Sequence, residues 1–276
     1  MPNRRLEHFL PSSPLSKAVI LAAGRGTRMG AMTEEIPKPM LPIHGRPMLE
    51  YILEHLAATG ITQFLIVIGY YGDVIRAHFE NTKSDEPAFL SEAKTQSDEP
   101  AFLSEAKTQQ VQFVWQNPVN GTGSGALLAQ TFAAHEPFLL TYGDILCDPV
   151  EYRRAAQILF EEPEIAAVVA VKAVDDPWQG AAVYAENGRI SRILEKPPKG
   201  TSTTRWNSAG FYAFRPVVFD YLAQLQPSPR GEYELTTALD IMRSDGLDLR
   251  ISPIEGPWRD VGRPEDLAAA RSEPPL

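Results

Sequence analysis

From Lys17 onward the chain alternates short apolar runs with stretches of helical periodicity. Ala18–Ala22, Phe64–Ile68, Val111–Trp115, Phe138–Thr141 and Ala166–Val171 read as strands, being short and rich in β-branched and aromatic residues. Pro47–Ala58, Asp73–Phe79, Ser124–Ala134 and Val150–Phe160 read as helices, with Pro47 and Pro149 where a first helical turn tolerates proline. This alternation predicts an α/β three-layer sandwich, a mainly parallel central sheet covered on both faces. After Val171 the pattern changes. Ala181–Ala185 and Arg189–Leu194 flank Asn187-Gly188, a strong hairpin signal, and Arg205–Phe214 reads as a further strand. This part is expected as a smaller antiparallel excursion on the same sheet, not a second domain.

The same reading sets the boundaries. Residues 1–16 are expected as a flexible leader, 17–271 as a single domain and 272–276 as a tail. Within the domain, Ser84–Gln96 repeats without change as Ser97–Gln109. A tandem pair of this length is too small for a solenoid and falls between a helix and a strand, where insertions cost little. It reads as a duplicated surface-loop insertion over residues 84–109.

Bulk composition narrows the function classes. A net charge of -9 argues against a general nucleic-acid binder, which needs a basic face, yet leaves room for a nucleotide held by local positive charge. No apolar run approaches the roughly 20 residues of a membrane span, and the N-terminus has no signal-like apolar core. The single Cys147 forbids an internal disulfide and suits a reducing cytoplasm; it reads as a small buried filler. The histidines and the lone cysteine show no zinc spacing.

The chemistry concentrates in residues 21–42, where a strand runs into Leu21-Ala22-Ala23-Gly24-Arg25-Gly26-Thr27-Arg28 and Pro37-Lys38-Pro39 follows. Glycines let a backbone approach an anion, while arginine and lysine add charge and forked donors. The implied ligand is a polyphosphate. The P-loop pattern is absent, and Pro37 and Pro39 would break the long helix that a dinucleotide fingerprint opens.

Gly24-Arg25-Gly26-Thr27-Arg28 with Pro37-Lys38-Pro39, continued by Met40-Leu41-Pro42, Gly45-Arg46-Pro47 and Met48-Leu49-Glu50, resembles the signature of the sugar-1-phosphate nucleotidylyltransferases. The resemblance runs from about Lys17 to Leu267 and implies a Rossmann-like fold with a sugar-binding excursion. It also implies transfer of a nucleotidyl group from a nucleoside triphosphate to a sugar 1-phosphate, with release of pyrophosphate. Residues 21–27 would bind the nucleotide, and Arg28 and Lys38 would act on the phosphates. Gly143-Asp144 after the strand at Phe138, and Asp260 in Trp258-Arg259-Asp260-Val261-Gly262, match the family's pair of Mg2+ ligands.

Gln116 and Gly121 resemble the base-binding segment. An amide that both donates and accepts suits uracil or thymine through the N3 edge, and it can also meet guanine or cytosine. Gly180, Glu195 and Lys196 in Glu-Lys-Pro, Asn207 in Asn-Ser-Ala-Gly, and Glu232 in Gly-Glu-Tyr-Glu-Leu-Thr resemble the sugar and sugar-phosphate contacts; Glu232 with Thr236 also reads as a plain helix start. Trp115, Trp206 and Trp258 are expected in the core or as walls. The expected partners are small molecules, with no nucleic acid or membrane, in a cytoplasmic enzyme that can form homo-oligomers. The chain carries no hexapeptide repeats, so a β-helix acyltransferase domain is not expected within it. Two other readings stay open: a cytidylyltransferase for an alcohol phosphate such as phosphocholine, and a nucleotide sensor without catalysis.

Overall fold

The computed structural model describes residues 14–81 and 110–274. The duplicated segment at 84–109 and leader residues 1–13 lie outside the described residues. At its end the leader reading needs correcting: Leu15 is buried in the core, and the Ser16 carbonyl accepts hydrogen bonds from the Thr62 and Gln63 amides. The tail, too, begins inside the fold, since the Glu273 carbonyl meets His44 and its carboxylate pairs with Arg259.

One nine-stranded sheet organises the chain. The strands are β1 (Lys17–Leu21), β4 (Gln63–Ile68), β5 (Gln110–Trp115), β6 (Phe138–Tyr142), β8 (Ile165–Ala173), β9 (Ala181–Glu186), β10 (Arg189–Glu195), β11 (Trp206–Phe214) and β12 (Asp248–Pro253), in the order β5-β4-β1-β6-β11-β8-β12-β10-β9. Two short ribbons, β2 (Pro42–Ile43) with β3 (Arg46–Pro47) and β7 (Ile145–Cys147) with β13 (Trp258–Asp260), stand apart from it. β5, β4, β1 and β6 pair in parallel, as the alternating pattern predicts. The antiparallel strands expected as a smaller excursion do lie on the same sheet, but one of them is internal to it. β11 runs antiparallel between β6 and β8 in the middle of the sheet, and β12 pairs in parallel with β8. The sheet is therefore mixed, with β10 and β11 running against the other strands. The hairpin forms its far edge.

Strand side chains alternate between two cores. Ala18 and Ile20 face one, with Leu49, Ile52 and Leu56 of α1 (Met48–Ala57) and Tyr152 and Leu159 of α5 (Pro149–Glu161). Val19 faces the other, with Ala126 of α3 (Thr122–Leu127), Ala133 of α4 (Gln130–Ala133), Phe219 of α6 (Val218–Leu222) and Leu239 of α7 (Leu235–Ser244). Helices thus pack on both faces of the mixed sheet. α2 (Gly72–Asn81) packs on edge strand β5, and α8 (Pro264–Ser272) packs on β13. The helix predicted over Ser124–Ala134 is two pieces: the Ala129 amide reaches back three residues to Ala126, a tight turn that ends α3. Trp115 is 42% exposed and so belongs to no core, whereas Trp206 and Trp258 pack against the two clusters. Among the described residues no helix is long and apolar enough to cross a membrane.

Candidate active site

The predicted phosphate loop leaves β1 at Leu21, and its course is set by neighbouring strands. The Ala22 amide donates to Val67 and the Tyr70 amide donates to Ala23, so the loop is pinned to the carboxyl end of β4. Gly24, Arg25, Thr27 and Arg28 stay exposed while Met29 anchors the loop in the core. Gly26 adopts a left-handed turn (φ 64°), and a side chain there would start 2.9 Å from Lys38 Cβ. The turn therefore folds the Pro-Lys-Pro segment against the loop. Arg25 lies over the Tyr70 ring at 5.5 Å, on the outer rim.

Two aspartates meet beside this loop although 116 positions of sequence separate them. Asp144 follows Gly143, whose amide donates to Leu21, and enters β7. β13 pairs antiparallel with β7, Asp260 opposite Ile145, and the Val261 amide donates to the Asp144 carbonyl. Lys38 Nζ donates to Asp144 Oδ2 at 2.5 Å. Asp144 Oδ1 is buried and has no hydrogen-bond partner among the described residues. Asp260 keeps solvent access, yet the protein around it and the Asp144 charge push its carboxyl up to about 6, against the opposing pull of Lys38 and Arg28. A side chain built on Gly262 would come 3.2 Å from Asp260 and 3.5 Å from the Arg28 guanidinium, which places Arg28 at the same spot.

A divalent cation fits these residues. An orphaned carboxylate oxygen and a second carboxyl strained by like charge are what a bound cation would relieve. Among the described residues no third histidine, cysteine or acid joins them, so phosphate and water oxygens would complete the coordination.

The loop that carries Asp260 is clamped from below. Buried Glu151 accepts hydrogen bonds from the Gly256 amide at 2.7 Å and the Glu255 amide at 3.2 Å, and it pairs with Arg154 at 2.7 Å. Lys172 Nζ donates to the Ile254 carbonyl at 3.3 Å. Glu151→Ala should cost about 3 kcal/mol of stability in denaturant melts, because it orphans buried amides and a charge, while Glu151→Gln should cost much less. Equal losses would mean that the clamp is not what the carboxylate supplies.

Gln116 follows β5, buried, with its amide nitrogen 2.8 Å from the Gly121 carbonyl and 2.9 Å from Ser124 Oγ. Residues 120–123 are held by Tyr233, whose amide donates to Asn120 and whose carbonyl accepts from Gly123.

The hairpin and the segment before α7 form a polar cluster. Lys196 sits in the left-handed region (φ 42°), and its amide donates to the Gly180 carbonyl at 2.7 Å. Asn207 Oδ1 is buried without a partner among the described residues, and a side chain on Gly180 would clash with it. Glu195 accepts from Thr236 Oγ1 at 2.8 Å and lies 3.4 Å from Arg230, which also donates to Glu234 at 2.6 Å. The structure brings Gly180, Glu195, Lys196 and Asn207 together. Glu232 is not brought into the cluster: it stays exposed, and Glu234 is the acid buried there.

Arg230, Glu234 and Thr236 were absent from the sequence-based site. So was a hydroxyl chain behind the cluster, in which Tyr212 lies 2.8 Å from Ser208 and 3.1 Å from Tyr142. Burial, then the neighbouring Tyr212 and the Glu195 charge, push the Tyr142 phenol well up, so it stays a neutral donor.

A glycine loop with a lysine–aspartate pair and a second aspartate beside it is the arrangement of an α/β protein suited to a polyphosphate. The chain matches the nucleotidyl transferase family over residues 17–274 and belongs to that family. It is 31% identical over 260 residues to the low-salt glycan biosynthesis nucleotidyltransferase Agl11 of Haloferax volcanii, covering 92% of this chain and 64% of that one. It is 30% identical over 261 residues to the UTP–glucose-1-phosphate uridylyltransferase AglF of the same organism, covering 91% and 93%. The chain spans 53% of the length of several Methanococcus relatives named bifunctional protein GlmU. The fold matches a crystal structure of UDP-glucose pyrophosphorylase complexed with UDP-glucose, with a TM-score of 0.78 at 23% identity over 94% of this chain and 97% of that one.

Proposed function

We propose that this chain is a Mg2+-dependent sugar-1-phosphate nucleotidylyltransferase, with UTP or dTTP as the favoured donor. The observation that carries the reading is the meeting of Lys38, Asp144, Asp260 and Arg28 beside the glycine loop; the separate polar cluster of Glu195, Lys196 and Asn207 supplies groups suited to a sugar phosphate. The full-length match to a relative named for UTP and glucose 1-phosphate supports a hexose 1-phosphate as the acceptor.

In this reading the exposed 24–28 loop binds the triphosphate and Gln116 meets the base. Asn207 and Glu195 accept sugar hydroxyls, and Lys196 neutralises the sugar phosphate. The acceptor phosphate oxygen then attacks the α-phosphorus and pyrophosphate leaves. Protein groups supply orientation and charge stabilisation, with no covalent intermediate. Asp144 and Asp260 would hold Mg2+, which supplies charge neutralisation and a template for in-line displacement.

Pyrophosphate release with Mg2+ from UTP, dTTP, GTP, CTP and ATP, each against common sugar 1-phosphates, tests the reading. One productive pair supports it. No release from a protein that binds nucleotide would overturn it in favour of a sensor, and release only with phosphocholine would favour the cytidylyltransferase. Within the productive pair, Gly180→Ala should displace Asn207 and raise the KM for the sugar phosphate roughly tenfold, the worth of one hydrogen bond, with the KM for the nucleotide unchanged. A change confined to the nucleotide would remove Asn207 from the sugar side.

A further inference from the structure

The Gln116 amide is not free to choose which end it offers a ligand. Its nitrogen stands 2.8 Å from the Gly121 carbonyl, and a carbonyl only accepts, so the NH2 group must face it. Turning the amide over would set two acceptors against each other. The second amide hydrogen goes to Ser124 Oγ at 2.9 Å. Ser124 can accept it because its own proton goes elsewhere, to Asn120 Oδ1 at 2.6 Å or the Gly121 carbonyl at 3.0 Å. Both amide hydrogens are therefore committed to the protein. Oε1 makes no hydrogen bond among the described residues and lies over Gly125, where a Cβ would come within 3.1 Å of it.

From this we infer that Ser124 and Asn120 are positioning residues for base selectivity: they hold Gln116 so that it presents an acceptor and no donor. The inference rests on the nucleotidyl-transfer reading and on Gln116 meeting the base. An acceptor pairs with a base whose edge carries a ring N–H, namely N3–H of uracil or thymine or N1–H of guanine. Cytosine N3 and adenine N1 carry lone pairs there, so the same contact places acceptor against acceptor. Sites built to pair with one edge reject the wrong edge because their own polar group is left unmatched. The Ser124 hydroxyl spends its hydrogen bonds on Gln116, Asn120 and Gly121.

The test is the ratio of UTP to CTP affinities, measured by calorimetry on the whole protein with Mg2+, so that it does not depend on turnover. The wild type should bind UTP at least roughly tenfold more tightly than CTP. Ser124→Ala should shrink that ratio at least about threefold, with kcat for UTP and the melting temperature little changed, since one of the two amide anchors is lost. Ser124→Thr, which keeps the hydroxyl acceptor, should restore the ratio. Asn120→Ala, which leaves the Ser124 proton only the Gly121 carbonyl, should shrink the ratio less than Ser124→Ala does. Equal UTP and CTP affinity in the wild type overturns the inference, as does a ratio unchanged in folded Ser124→Ala. Nucleotidyl transfer itself stands or falls separately, on pyrophosphate release with any triphosphate.

Discussion

Lys38→Ala is expected to lower kcat by about 100- to 1,000-fold, the scale of losing one preorganised charge contact in a transition state. The KM for the nucleoside triphosphate should move by no more than about threefold, because contacts made equally in ground and transition states lie elsewhere in the site. Lys38 is 6% exposed, so its ammonium is held in place and its charge is only weakly screened by solvent. It stands on the Asp144 carboxylate, next to the turn at Gly26 that would cradle the triphosphate. The exposed loop 24–28 and Gln116 would hold the ground-state nucleotide. Lys38 would matter most when charge gathers on the α-phosphoryl oxygens. Steady-state kinetics with varied triphosphate separates the two parameters. Equal losses in kcat and affinity would make Lys38 a ground-state binder. Because truncation also leaves Asp144 without its partner, Lys38→Met and a thermal melt distinguish a chemical loss from a folding loss.

How far the site could be read from sequence depends on whether its parts carry local signals. The loop at 24–28, Lys38 between prolines, and Asp144 after an apolar strand are each marked within a few residues. The structure brings Lys38, Asp144 and Asp260 together through the β7–β13 ribbon, which no local pattern announces. Arg230 escaped notice because its role arises from a contact with Glu195, 35 positions away, and a single arginine in a Pro-rich turn has no periodicity to flag it. Glu232 and Glu234 show the opposite problem. Two acids share one short segment, and only the backbone path decides which is buried.

Strand β12 did carry a signal. Asp248-Leu249-Arg250-Ile251-Ser252 alternates polar with apolar residues, and period-two alternation marks a half-buried strand. The alternation is easily passed over because Arg250 pairs with Asp248 on the same strand, making the segment look like a charged loop. The place of β11 in the sheet was not local information at all. An antiparallel strand between β6 and β8 is chosen by long-range pairing, and its own residues fit either edge or centre.

Asp144→Asn and Asp260→Asn should each lower kcat roughly 100-fold or more, and the double variant should be little worse than the poorer single one, since residues that act as a unit lose their effect together. Two carboxylates stand together here, and burial together with the Asp144 charge raises Asp260. Such an arrangement opposes folding unless something positive is held there. Lys38 neutralises one oxygen of Asp144 and leaves the other buried and unpaired. If Asp144 served only to orient Lys38, then Asp260→Asn would be mild and the Mg2+ concentration needed for half-maximal rate would not change in either variant. If the pair holds the cation, both substitutions should raise that concentration, and both should abolish the rise in melting temperature that Mg2+ with a triphosphate gives the wild type. The melting-temperature readout needs no turnover, so it separates loss of cation binding from loss of chemistry.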